Sequence, residues 1–307
     1  MNYLPEGCIY DTEANQRLIA DEDGLRTAFQ NRTDIEVKAI SCSTDHDIIV
    51  EFPFGKGVIP REEGAIGIAD GTTRDIALIS RVNKIVRCRV TSIIRQKDGG
   101  IMPVLSRKAS QDECMANYIS SLGSGDIIPA RVTHIEHFGA FTDIGCGIPS
   151  LIPIDSISVS RISDPSDRFT VGQMIKAAVK RCEGDRVFLT HKELLGTWEE
   201  NADRFCIGET VSGIVRSIED YGIFVELAPN LAGLAEPKEG VSAGERVSVY
   251  IKSIIREKMK VKLIIVDSCG RDKSVPDSIE YFVGSDHIDR WDYSPPGSSK
   301  IIKTVFR

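Results

Sequence analysis

The chain has 307 residues, long enough for two or three domains and too long for one core of ordinary size. Its 41% hydrophobic and 27% charged residues exclude wholesale disorder and argue against a membrane class. A net charge of −7 excludes a surface coated in basic charge, so any nucleic-acid site must be a local patch.

Met1 to Gly7 has no basic segment followed by an apolar run, and no stretch is apolar for the ~20 residues of a spanning helix, which predicts neither signal peptide nor membrane anchor. The eight cysteines stand singly, without a Cys-x-x-Cys pair. That usage predicts reduced core thiols in a cytoplasmic protein.

In chain order, residues 1–34 form an N-terminal segment with one short helix, Asp21 to Asn31. Residues 35–108 alternate in the manner of strands and form the most divergent of three copies of one repeat. The stretch from Arg107 to Leu122 is rich in helix formers and ends at Gly123, which predicts a helical linker over 109–124.

A second copy occupies 125–192 and a third, shortened one 208–267, with a second helical linker over 193–207 drawn from the helix-forming run His191 to Phe205. The match is direct. Gly125 to Val132 aligns with Gly208 to Val215, Phe138-Gly139-Ala140-Phe141 with Tyr221-Gly222-Ile223-Phe224, and Leu151 with Leu234, all at one spacing. The long segment Ser156 to Val171 shrinks to Lys238 to Ala243 in the third copy, after which Lys176 to Arg181 answers Ser248 to Ser253. Each copy reads as five strands. The remainder, 268–307, begins with a polar connection, Cys269 to Asp277, and ends with a strand-like alternation, Lys300 to Arg307.

Period-two alternation assigns the faces. Val225 and Leu227 point inward, which sends Phe224 and Glu226 outward; Phe141 and Asp143 follow the same phase. Gly139 and Gly222 predict a bulge that brings Phe138 with Phe141, and Tyr221 with Phe224, onto one surface. Outward phase also holds Lys176, Lys180, Arg186 and Phe188 in the second copy and Tyr250, Lys252, Lys260 and Lys262 in the third. Rings interleaved with cations suit single-stranded RNA, whose bases stack on the rings while phosphates meet the cations. The competing reading has the rings packing against linkers or a neighbouring repeat.

At this point the second copy resembles the S1 domain, the RNA-binding OB-fold repeat of bacterial ribosomal protein S1. The resemblance rests on Phe138 to Phe141, Gly147 to Ile152 and Arg186 to Lys192. The third copy is similar in shortened form, and the first is similar to that family's ribosome-anchoring repeats through Gly57 to Glu63 and Leu105 to Lys108. The implied fold class is all-β dominated: three tandem five-stranded OB-fold barrels joined by short helical linkers, with a small C-terminal segment.

The resemblance implies an RNA face made of Phe138 and Phe141, or Tyr221 and Phe224, with Arg186 or Lys260 at the family's arginine. The family's histidine is replaced by Pro153 and Glu236, and its aspartate by Cys182 and Arg256, which favours the middle barrel as the RNA site. Asp45 and Ile48 stand where the first copy's rings belong, leaving a basic run from Arg81 to Lys108, with Asp98 its lone acid, as a surface for rRNA or an acidic protein.

No phosphate loop, nucleophile elbow or His-Glu-x-x-His pair occurs, so the expectation is a non-enzymatic protein without cofactor or metal. His287, Asp289 and Asp292 read as a structural turn, with Trp291 and Tyr293 packed on the last barrel. His134 and His137 bracket the first turn of the middle copy and read as phosphate contacts or as solvated side chains without a partner. Expected partners are single-stranded RNA, whether mRNA or rRNA, and the small ribosomal subunit; the rival role is a docking scaffold with little RNA affinity of its own.

Overall fold

Alternating burial along the strands sets the architecture of the computed structural model, which describes residues 3–97, 99–270 and 279–307. The chain divides into two compact units, Met1–Leu122 with Asp143–Pro149, and Gly123–Thr142 with Ser150–Arg307.

The first unit begins with helices α1 (Glu13–Ile19) and α2 (Glu22–Gln30), each capped at its N-terminus by a side chain that accepts from a free backbone N–H: Thr12 from Asn15 and Asp21 from Gly24. The sequence pattern captures only α2, because α1 buries just Asn15 and Ile19 and shows no apolar stripe. Strands β1 (Asp34–Cys42), β2 (Ile48–Phe52) and β3 (Gly55–Ile59) follow, then the short helix α3 (Ile76–Ile79), β4 (Ile85–Arg95) and β5 (Ile101–Ser106). They close as a barrel in the order β1-β2-β3-β5-β4 around Ile35, Val37, Ile48, Val50, Ile59, Val86, Val90 and Leu105. Helix α4 (Arg107–Asn117), capped by Ser106 Oγ, covers the exit.

The second unit holds two more closed barrels. The middle one is built from β6 (Ile127–Glu136), β7 (Gly139–Asp143), β8 (Pro149–Pro153), β9 (Met174–Glu183) and β10 (Arg186–Thr190) in the order β10-β8-β7-β6-β9. After helix α5 (Trp198–Ala202), the third comprises β11 (Thr210–Glu219), β12 (Gly222–Ala228), β13 (Leu231–Ala235), β14 (Arg246–Ile255) and β15 (Lys260–Ser268). The expected three barrels are present. In each, the third strand closes against the fifth in parallel, at Val58↔Val104, Leu151↔Phe188 and Leu234↔Lys262.

The second linker is helical in two short pieces. A single 3-10 turn, Lys192–Leu195, stops at Gly196, and α5 starts afresh from a Thr197–Glu200 capping box. Gly196 has φ +81°, and a Cβ there would lie 2.9 Å from the Phe282 ring, so backbone and space both demand glycine at the break.

The long Ser156 to Val171 segment of the middle barrel reaches the third barrel. Val159 N–H donates to Asn230 Oδ1 (2.9 Å), and Arg168 Nη2 donates to Glu226 Oε2 (2.5 Å). The C-terminal segment then ties both barrels. Ile127 N–H donates to Asp286 O and Ile288 N–H to Gly125 O, while Trp291 and Tyr293 enter the third barrel's core cluster. Two short strands, β16 (Arg290–Asp292) and β17 (Lys303–Val305), pair within it, so the expected terminal strand is three residues long. Most of the expected connection Cys269 to Asp277, like Asp98, lies outside the described residues.

Candidate nucleic-acid interface

The aromatic pairs come together through hairpin geometry. Glu219 pairs with Gly222, which leaves Asp220 and Tyr221 as a two-residue turn; Tyr221 thereby projects at the hairpin tip, 67% exposed. Phe138 occupies the same place between β6 and β7 and is 45% exposed. Their partners Phe224 and Phe141 are half-buried on the following strand. Ring centroids lie 5.9 Å apart at 86° for Phe138 and Phe141, and 6.1 Å apart at 88° for Tyr221 and Phe224, edge-to-face in both barrels.

The expected bulge at the glycines is corrected. Across the hairpin of the third barrel it lies on β11, between Val215 and Ser217. The glycines serve a different purpose: a Cβ on Gly139 would stand 2.5 Å from Ile152 O, and one on Gly222 2.6 Å from Ala235 O. Only a residue without a side chain lets the ring-bearing strand pass so close to its neighbour.

Strand register then lines up a row of outward side chains. In the third barrel Ser217 pairs with Phe224, Phe224 with Leu234, Leu234 with Lys262, and Lys262 with Ser253. In the middle barrel Leu151 pairs with Phe188 and Phe188 with Arg181. The first barrel repeats the row as Ser41, Ile49, Val58, Val104 and Ser92. Ile48, placed by sequence at the ring position, is instead fully buried core, and Ile49 holds the station of Phe224. The first barrel therefore presents aliphatic residues where the third presents a ring and a lysine.

The cations divide into engaged and open ones. Lys180 Nζ donates to Ser156 Oγ (3.0 Å), Lys176 Nζ stands 6.0 Å from the Tyr281 ring centroid, and Lys252 pairs with Glu236 at 3.5 Å. Arg186, Lys260 and Lys262 are exposed, as is Tyr250 at 38%, beside Ile264 on the neighbouring strand. Val187, Leu189, Val261 and Leu263 face inward as expected, and Phe188 outward.

Two residues expected in solvent are covered, and one strand changes phase. Glu226 is 5% exposed rather than solvent-facing, clamped by Arg168 and by Arg216 Nε (2.9 Å). The register shift between Glu226 and Ala228 removes Leu227 from the core and puts Ala228 there. Asp143 is buried and accepts from the backbone N–H groups of Glu6, Gly145 and Gly147; burial raises its carboxyl to about 6.

The basic run of the first barrel is largely consumed internally. Arg81 and Arg107 pair with Glu6, Arg87 and Arg89 with Asp34, and Arg95 with Glu22. A charge already neutralised at 2.6 to 3.6 Å offers little to a polyanion.

Three further side chains touch the rings, of which the sequence reading passes over Arg181. His134 stacks on Phe141 (6.2 Å, 29°), His137 meets Phe138 edge-on (5.3 Å, 89°), and Arg181 lies with its guanidinium carbon 4.6 Å over the Phe188 ring. Strict alternation from Ile128, Ala130 and Val132 sends His134 inward. It is exposed, so the phase breaks after Val132, as it does in β11 after Val215.

Residues 121–192 match the family model described as the S1 RNA binding domain. The middle barrel is an S1 domain. The chain is 36% identical over 104 residues to small ribosomal subunit protein bS1 of Staphylococcus epidermidis, a match covering 32% of this chain and 26% of that protein. With the bS1 of Staphylococcus haemolyticus it shares 37% identity over 100 residues, 31% of this chain and 25% of that one. The chain thus spans about a quarter of the length of these relatives.

Among solved structures, a multidomain protein with nucleic acid binding domains from Streptococcus pneumoniae aligns over 76% of this chain and 73% of its own, at 13% identity and TM-score 0.25. GSP13 from Bacillus subtilis aligns over 23% of this chain and 55% of its own, at 18% identity and TM-score 0.22. The S1 domain carries the four-ring cluster of His134, Phe141, Phe138 and His137; the third barrel, with Ser217 at the same spacing from its ring, carries two rings.

Proposed function

We propose that this protein binds single-stranded RNA, mRNA or rRNA, through the ring cluster of its S1 domain, without catalysis. In this reading it works in the cytoplasm in association with translation, and the third barrel extends the track. The observation that carries the proposal is the edge-to-face pair of exposed Phe138 and half-buried Phe141. Stacking of a base on such a ring contributes about 1–3 kcal/mol and tolerates any base. Arg186 and Lys260 at the hairpins supply phosphate contacts. Replacing Phe138 and Phe141 together by alanine weakens binding of a short RNA oligomer at least ten-fold in this reading; unchanged affinity removes the site.

A second reading, a docking scaffold for the small ribosomal subunit, draws on the first barrel, whose row lacks rings and whose arginines are paired. Co-sedimentation with small subunits that survives nuclease treatment supports docking; loss on treatment supports RNA capture.

A further inference from the structure

The outer face of Phe188 is not open to a nucleobase, because the guanidinium of Arg181 already lies 4.6 Å over it. The group available at that station is the guanidinium itself. Arg181 is held on two sides: its guanidinium rests over the ring, and Glu183 Oε1 binds its Nε edge at 3.2 Å. The side chain is nonetheless 59% exposed, and Glu183 engages its Nε, which leaves Nη1 and Nη2 as the donors for a ligand.

We propose that Arg181 reads guanine in the RNA bound by the S1 domain, with Nη1 and Nη2 donating to O6 and N7 of one base. This rests on the RNA-binding reading above and adds a base preference to it. Two features favour a base edge over a phosphate. A phosphate contact needs only a nearby cation, whereas a guanidinium held by a ring and by its Nε edge presents a fork that matches the parallel O6 and N7 acceptors of guanine, a pair that adenine and uracil lack. Glu183 beside it also offsets the positive charge, which weakens attraction for a polyanion and leaves the hydrogen-bonding fork intact. The preference belongs to one barrel. The corresponding position is Ser253 in the third and Ser92 in the first, and neither can donate twice in one plane.

The test uses the full chain and labelled RNA octamers at one fixed salt concentration: all-adenosine, the same with one central guanosine, and the same with 7-deazaguanosine, which lacks the N7 acceptor. The expected result is about ten-fold tighter binding of the guanosine octamer, with the 7-deaza octamer falling back to the all-adenosine level. Arg181→Lys keeps the charge and loses the fork, so it removes the preference and leaves the all-adenosine affinity within about two-fold. Equal binding of all three octamers by the unaltered protein overturns the guanine assignment and leaves RNA binding standing. So does a guanosine preference that persists unchanged in Arg181→Lys, since it then does not depend on the fork. Failure to bind any octamer overturns the RNA reading and this inference with it.

Discussion

The carboxylate of Glu226 on β12 lies 2.5 Å from the guanidinium of Arg168, which belongs to the long excursion between β8 and β9. Arg216 binds the same carboxylate from β11 and also reaches Asp167 at 3.1 Å. Glu226, Arg168 and Arg216 are each at most 8% exposed, so the cluster is a buried junction between the middle and third barrels. Glu226→Ala leaves two guanidinium groups without their carboxylate in a dry setting. The expected loss is about 3–5 kcal/mol of stability, measured by urea unfolding, with Glu226→Gln intermediate. A loss under about 1 kcal/mol would mean that the cluster is solvated and does not join the barrels.

The two ring pairs are expected to contribute unequally to RNA affinity. Tyr221 and Phe224 share their row with Leu234, Lys262 and Ser253, whereas Phe138 and Phe141 are flanked by His134 and His137. Alanine at both Tyr221 and Phe224 should weaken oligomer binding several-fold less than alanine at both Phe138 and Phe141, as read by fluorescence anisotropy. The reverse order would move the principal site to the third barrel.

Gly222→Ala tests the close passage of β12 against β13. The added methyl would sit 2.6 Å from Ala235 O and 2.9 Å from Leu234, at a φ of +154° that side chains rarely adopt. Roughly 2 kcal/mol of destabilisation is expected, from overpacking and backbone strain together. Thermal unfolding of the variant measures it, and an unchanged midpoint would show that β12 can shift away without penalty.

His191 predicts how stability responds to acid. It is fully buried against Phe169, with Nδ1–H donating to Ile157 O (3.1 Å) and Nε2 accepting from the Tyr281 hydroxyl (3.4 Å). Burial, helped by the charge of Arg168, pushes the imidazole down to about 4. Below its ordinary value of 6.5 the unfolded chain takes up a proton that the folded chain refuses. The stability this neutral ring contributes is therefore complete above that value and is lost as pH falls toward 4, by up to about 3 kcal/mol. Carboxyls raised by burial, such as Glu36 at about 7, have the opposite dependence, so the comparison is with His191→Gln. The variant should show a shallower fall between pH 6.5 and 4; parallel curves would assign the acid response to other groups.

Much of this architecture was legible because a repeated pattern constrains itself. The matching of Phe138 to Phe141 with Tyr221 to Phe224 located equivalent hairpins in two barrels, and the inward phase of Val187, Leu189, Val261 and Leu263 held in the structure. Strands that deviate from strict alternation were the ones misread. One irregularity on β12 exchanged Leu227 for Ala228. Alternation also says nothing about what covers an outward residue. Asp143, Glu226 and the arginines of the first barrel point away from their barrel cores, yet are enclosed by segments distant in sequence. Arg181 escaped notice for the same reason: the orientation of its guanidinium depends on Phe188, across the hairpin.

The recurrence of the row at one level of every barrel also bears on how such proteins diversify. Hydrogen bonding between main chains sets which positions become neighbours there, and the side chains of the row lie outside the barrel cores. Ile49, Val58 and Val104 stand outside the core cluster of the first barrel, at the stations of Phe224, Leu234 and Lys262 in the third. Selection acting on a duplicated copy is thus free to silence or restore recognition one substitution at a time.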